Sequence, residues 1–186
     1  MLKERASGIL LPVFSLPGEC GIGDFGPSAY RWIDLLKNNL QKYWQVLPLN
    51  SSFGYSPYHI SSAFAGNPLF ISPEILAQKG LLQEKELLPG RSFAPVNKIH
   101  YTKVAAYKLK LFETAFARFQ SGKERKADFT EFREEHQRWL DEYAFFSALR
   151  RRFGNQSWHA WPREIRERKN PALQKARDEL DEAIRF

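Results

Sequence analysis

The sequence predicts an α/β fold that opens as a parallel strand, helix and strand and then continues in helices alone. Three observations predict it. Residues 7–15 and 43–49 are two nearly continuous apolar runs of strand length, as expected of parallel strands buried on both faces. Between them apolar residues recur at helical spacing, and beyond Thr102 only the helical period remains.

The first run is followed by a Gly-rich loop over 16–26. Pro27 suits the first position of a helix, because its missing N–H would have no intrahelical partner there. Tyr30, Ile33, Leu36 and Leu40 then line one face, and Asn38 and Asn39 are stop signals. With 43–49 as the second strand, these elements make a βαβ unit with a right-handed crossover. The segment 50–68, rich in Ser, Gly, Pro, Tyr and Phe, exceeds the ~2 to 6 residues usual for α/β connections, and long loops of this kind are usually functional. Farther on, Val104, Tyr107, Leu111, Ala115 and Phe119 form one helical stripe. Phe129, Phe132, His136, Trp139, Tyr143 and Phe146 form a longer one. Asn170 and Pro171 open a last helix carrying Leu173, Ala176, Leu180 and Ile184. Connections are expected over 122–128 and 153–170.

Two strands cannot make a stable parallel sheet. A barrel of this connectivity typically needs ~250 residues and rarely fewer than ~200, so 186 residues read as the opening of a larger protein. Residues 1–100 are expected to form the α/β part with its long loop 50–68, and 101–186 a helical subdomain.

Composition removes several function classes. With 43% apolar and 26% charged residues, the chain can bury a core and is not disordered. A single cysteine, Cys20, excludes an internal disulfide and a Cys-based zinc site, and points to a reducing, cytoplasmic location. The N-terminus lacks the uninterrupted apolar stretch and cleavage site of a signal peptide, and no window approaches the ~18 apolar residues of a spanning helix. A soluble protein with no membrane partner is expected. Residues 1–90 carry as many acids as bases, so the whole +7 excess lies in 91–186. Its densest run, Arg150 to Arg152, suits a solvated helix end better than a phosphate-binding patch, and no nucleic-acid partner is expected.

Gly21-Ile22-Gly23-Asp24-Phe25-Gly26 matches G-x-G-x-x-G literally, but residues 16–20 separate it from the strand and the helix opens only at Pro27. It reads as a tight loop over a strand end rather than a nucleotide site. His136 has no second ligand at coordinating spacing and reads as a core residue, and Cys20 has no nearby histidine to activate it. Asp24 and Glu19 end the first strand, and no acid answers them at the end of the second, so no paired-carboxylate site is visible. That leaves 50–68, which sets aromatics among hydroxyls at the carboxyl end of a strand. Flat rings pack the C–H face of a pyranose while Ser, Asn, His and Tyr groups bond its hydroxyls. A sugar-binding loop and a packed surface loop both stay open on the residues alone.

The strings Ser7-Gly8-Ile9-Leu10-Leu11, Ser15-Leu16-Pro17-Gly18, Gly21-Ile22-Gly23-Asp24, Tyr43-Trp44-Gln45-Val46-Leu47-Pro48-Leu49, Ser56-Pro57-Tyr58 and Ser62-Ala63-Phe64-Ala65-Gly66-Asn67-Pro68-Leu69 resemble the N-terminal region of 4-alpha-glucanotransferases, or amylomaltases. Trp139-Leu140-Asp141-Glu142-Tyr143-Ala144 and Trp158-His159-Ala160-Trp161-Pro162 resemble the helical subdomain that the family inserts after the start of its barrel. The resemblance implies the start of a (β/α)8 TIM barrel of glycoside hydrolase family 77, incomplete in this chain. It implies a retaining double displacement that moves α-1,4-glucan segments between maltodextrins, without metal or cofactor. The family's catalytic carboxylates lie on later strands, so no catalytic residue is expected here. The substrate-contacting loop tyrosine falls on Tyr58 with Ser56 beside it, and the aromatic of a secondary glucan site on Phe53. The family commonly has His-Pro-Thr-Ser at Pro12-Val13-Phe14-Ser15, Asp or Asn at Tyr55, and Gln at His59. A non-catalytic carbohydrate-binding or vestigial fragment is the alternative.

Overall fold

A computed structural model describes residues 5–93, 98–122 and 126–186. The chain divides into two compact units, 1–123 and 124–186.

In the first unit, β1 (Gly8–Leu10) and β2 (Tyr43–Gln45) pair in parallel, with Gly8 opposite Tyr43 and Leu10 opposite Gln45. Between them runs α1 (Pro27–Asn38), so the expected strand, helix and strand are present. Both strands are shorter than their apolar runs. The ladder continues one step, through the Leu11 N–H on the Gln45 carbonyl at 3.0 Å, and stops at Pro12, which has no N–H to donate. Val13–Ser15 then coils into a 3-10 turn. The indole N–H of Trp44 donates to the Leu11 carbonyl at 2.7 Å and ties the two strands together. Neither strand is buried within this chain, contrary to the expectation from their continuous apolar character. On α1 only Leu36 of the expected stripe is buried, while Tyr30, Ile33 and Leu40 are exposed. The helix ends as expected: the Asn39 side chain donates to the Leu35 carbonyl at 2.8 Å, and Leu40 leaves in the left-handed region at φ 56.

The core of this unit lies farther along. After the long loop come α2 (Pro73–Gln78), α3 (Glu84–Leu87) and α4 (Tyr101–Ser121). Leu82, Leu87, Leu111 and Ala115 are buried together, with Leu76, Ala77, Leu81 and Tyr107 packed around them. Residue 100 is therefore not the boundary that the change of period implied. α4 packs on α2 within the first unit, because its stripe faces the leucines of 76–87. Of the connection expected over 122–128, residues 123–125 lie outside the described residues and 126–128 are already helical.

The second unit holds α5 (Lys126–Arg152), α6 (Arg163–Arg166), α7 (Asn170–Glu179) and α8 (Asp181–Arg185). Phe145, Leu149 and Trp161 form its core, with Phe146, Phe153, Ile165, Leu173, Ala176, Leu180 and Ile184 against it. The stripe read from the spacing of the last helix does face this core, but its residues are only half-buried and are shared between two helices, α7 and α8, which meet at Leu180. His136 is not a core residue: it is half-buried, in a ladder of rings from Phe132 at 4.4 Å to Trp139 at 5.8 Å. Arg152 pairs with Glu179 at 3.0 Å and Arg151 lies over the Phe186 ring, so both have partners in their own unit. Among the described residues no helix is long and apolar enough to cross a membrane.

One ion pair in the first unit sets a pH dependence. Arg118 grips Glu86 with both terminal guanidinium nitrogens, at 2.7 and 2.8 Å, and the Gln83 N–H donates to the same carboxylate at 2.7 Å. Those hydrogen bonds hold the Glu86 carboxyl down at about 2, from 4.5. A carboxylate held below its unfolded value contributes fully above that value and loses the contribution as pH falls through the folded one. Glu86 therefore stabilises the fold above about pH 4.5 and ceases to as pH approaches about 2. Thermal midpoints of wild type and Glu86→Gln, followed across this window, should converge on acidification; parallel curves would contradict the assignment.

Candidate functional site

The loop 50–68 is a braced excursion at the end of β2. Two antiparallel bridges, Asn50 with Gly66 and Ser52 with Ile60, zip its two limbs together. Along them the Ser51 N–H donates to Ala65 at 2.8 Å, Ser61 to Ser51 at 2.7 Å, and Phe53 to His59 at 2.8 Å. The Asn50 side chain donates to the Ala63 carbonyl at 2.9 Å, and the Ser62 hydroxyl accepts from the Phe64 and Ala65 N–H groups. Asn67, Pro68 and Leu69 close the loop, with the Asn67 carboxamide accepting from the Leu69 N–H at 3.0 Å. At Asn50, Ser62 and Asn67 short polar side chains satisfy backbone groups that no regular element covers.

The bracing leaves a tip, 53–59, that carries all three residues singled out in the sequence. Tyr58 stands out to solvent at 67% exposure, and Phe53 is exposed at 44%. Ser56 is half-buried, its hydroxyl accepting from the Tyr58 N–H at 3.4 Å. Phe64 is also exposed, beyond the second limb. A cavity of about 20 Å³ lies beneath the tip, lined by Phe14, Ile22, Pro48, Ser52, Tyr55 and Tyr101 among others. It has room for about one water molecule, and Tyr58 is not among its lining residues.

The Gly-rich loop lies under the same strand end and does not form a phosphate cradle. A Cβ on Gly23 would collide with the Val13 and Leu16 carbonyls, and one on Gly26 with the Ser72 hydroxyl and Asp24. Gly21, at φ +78, is the one glycine of the three in the left-handed region. These glycines allow close self-packing, as the tight-loop reading expected. Cys20 is buried there, and burial pushes its thiol up to about 11, the reverse of what a nucleophilic thiolate needs. Glu19 is exposed and pairs with Arg91 at 3.0 Å.

Asp24 has a different partner. Lys108 of α4 is fully buried, and its ammonium donates to Asp24 Oδ2 at 2.7 Å, to the Leu69 carbonyl at 2.7 Å and to the Ile71 carbonyl at 3.0 Å. All three N–H donors are met. Asp24 Oδ1 accepts from the Gly26 N–H at 3.0 Å. Burial pushes the Asp24 carboxyl up from its ordinary value, and Lys108, the Gly26 N–H and the Ser72 hydroxyl pull it back. This node joins the Gly-rich loop, the exit of the long loop and α4. A signal for it was present: Val104, Lys108, Leu111 and Ala115 share one heptad-like stripe, so a lysine occupies a core position. Among the described residues no three His, Cys, Asp or Glu side chains are grouped to hold a metal ion.

The family profile described as 4-alpha-glucanotransferase matches residues 11–186. The chain is 42% identical to the 4-alpha-glucanotransferase of Clostridium butyricum over 94% of its own length and 36% of that protein. It is 39% identical to that of Thermus thermophilus over 100% of its length and 37% of the relative. The fold superposes on amylomaltase from Streptococcus agalactiae, solved in complex with acarbose, with a TM-score of 0.91 at 34% identity, covering 98% of this chain and 37% of that one. The chain thus spans about a third of the length of these relatives.

Removing the Lys108 ammonium should leave Asp24 as an unpaired buried acid. Lys108→Met is expected to cost about 3–5 kcal/mol in denaturant unfolding, the range for breaking one side of a buried pair. The double variant with Asp24→Asn should lose clearly less than the sum of the two single losses. Additive losses would show that the pair is not coupled.

Proposed function

The chain belongs to the 4-alpha-glucanotransferase family, glycoside hydrolase family 77, and from that membership we propose that it is the substrate-loop-bearing part of an enzyme that transfers α-1,4-glucan segments between maltodextrins by a retaining double displacement. The parallel pair β1 and β2 with α1 is the first βαβ unit of a (β/α)8 barrel in this reading, and the helices from Lys126 onward belong to the inserted subdomain. The exposed faces of β1, β2 and α1 support it, since such apolar surfaces are otherwise rarely left to water.

The observation that carries the reading in this chain is the exposed tip on a base braced by two antiparallel bridges and their hydrogen bonds. Tyr58 presents its ring face to a glucose unit, Ser56 lies beside it to bond a hydroxyl, and Phe53 offers a second ring at the tip's edge. The acarbose seen with the Streptococcus agalactiae amylomaltase is of the ligand class this surface suits. The nucleophile and the acid/base lie outside the described residues. In support, Asp24, the buried carboxylate among the described residues, is already engaged by Lys108 and the Gly26 N–H. Two carboxylates suffice for retaining transfer, so neither metal nor cofactor is required. The lone, buried Cys20 suits a cytoplasmic location.

The enzyme containing this chain should convert maltotriose into glucose and longer maltodextrins, with undiminished rate in a chelator. Tyr58→Ala should lower kcat/KM by about tenfold or more, a loss of ~1.4 kcal/mol or more of transition-state binding, and leave the thermal midpoint nearly unchanged, because the ring is exposed. A large fall in midpoint with normal activity of the folded fraction would mark Tyr58 as a packing residue and remove it from the site.

A further inference from the structure

We propose that Tyr55 is a positioning residue: it clamps the tip of the long loop to the first turn of α4 and so holds Tyr58 and Ser56 in register for a glucan. The inference rests on the glucanotransferase reading for its ligand, and on geometry alone for the clamp. The Tyr55 ring stacks on that of Tyr101, with centroids 4.7 Å apart and planes at 20°. Its hydroxyl shares a hydrogen bond of 3.1 Å with the Thr102 hydroxyl. Tyr101 and Thr102 are the first two residues of α4, and Lys108, two turns on, fixes that helix to Asp24, Leu69 and Ile71. One end of the clamp is therefore anchored.

The other end is the tip itself. The tip's internal hydrogen bonds, from the Phe53 N–H to His59 and from the His59 N–H to Ser56, shape it without attaching it to the rest of the unit. Tyr55 is one residue from Ser56 and three from Tyr58, so restraining its ring restrains both. A tip that samples other positions presents the binding arrangement only part of the time, and the apparent affinity falls by that fraction. Tyr55 is itself half exposed, at 48%, so its loss leaves the core intact.

Hydrogen exchange and kinetics test the two halves separately. In Tyr55→Ala the amides of Phe53 and His59 should exchange roughly three- to tenfold faster, the factor expected for loss of an aromatic pair, while amides of α1 keep the wild-type rate. The KM for maltotriose should rise by a similar factor with kcat within about twofold, and Tyr55→Phe, which keeps the stack, should recover most of it. Unchanged exchange at the tip would overturn the clamp whatever the substrate. Faster exchange with an unchanged KM would overturn its role in binding. Failure of the wild-type enzyme to act on maltotriose would instead strike the glucanotransferase reading, and the exchange result would still decide the clamp.

Discussion

A lysine ammonium taken wholly out of water has to be met on all sides, and Lys108 is met by the Asp24 carboxylate and the carbonyls of Leu69 and Ile71. Burying one charge costs several kcal/mol even after relaxation, so such a group persists only where the surrounding backbone holds every partner in place. The requirement runs both ways. Asp24 is buried in the Gly-rich loop and depends on Lys108 as its counter-charge, and the 67–71 segment turns two carbonyls inward to the same point. Segments far apart in sequence are thereby fixed to one atom, Lys108 Nζ.

The placement of the long loop follows from that constraint. Its limbs are held by their own bridges, its exit by the Lys108 node, and its tip by the stack of Tyr55 on Tyr101. Facing outward is a set of rings, Phe53, Tyr58 and Phe64, at the tip and beside it. In the proposed function this surface would stack on a sugar and hydrogen-bond its hydroxyls, as an extended oligosaccharide requires.

Some of this was legible in the sequence because it is local. Pro27 and the paired asparagines mark the ends of α1 to the residue, and the turn chemistry of 50–68 announces a structured loop. The strands were overread because Pro12 ends the donor ladder inside a run that hydrophobicity alone treats as continuous, and β2 stops at Gln45 with it. Their apolar character reports a design for burial on both faces, whereas in this chain those faces are exposed. Lys108 was passed over because a charged residue within a stripe reads as its edge, and its partner lies 84 positions away. The same blindness to distance set the domain boundary before α4. His136 was misread for the opposite reason: a helical stripe of aromatics on α5 packs its rings on one another without sinking them all into the core.

The most direct test is a crystal structure of the enzyme containing this chain with acarbose bound. A sugar ring is expected in van der Waals contact with the exposed face of Tyr58, with Lys108 still joining Asp24, Leu69 and Ile71 and Tyr55 still stacked on Tyr101. A bound oligosaccharide that makes no contact with residues 53–59 would contradict this expectation.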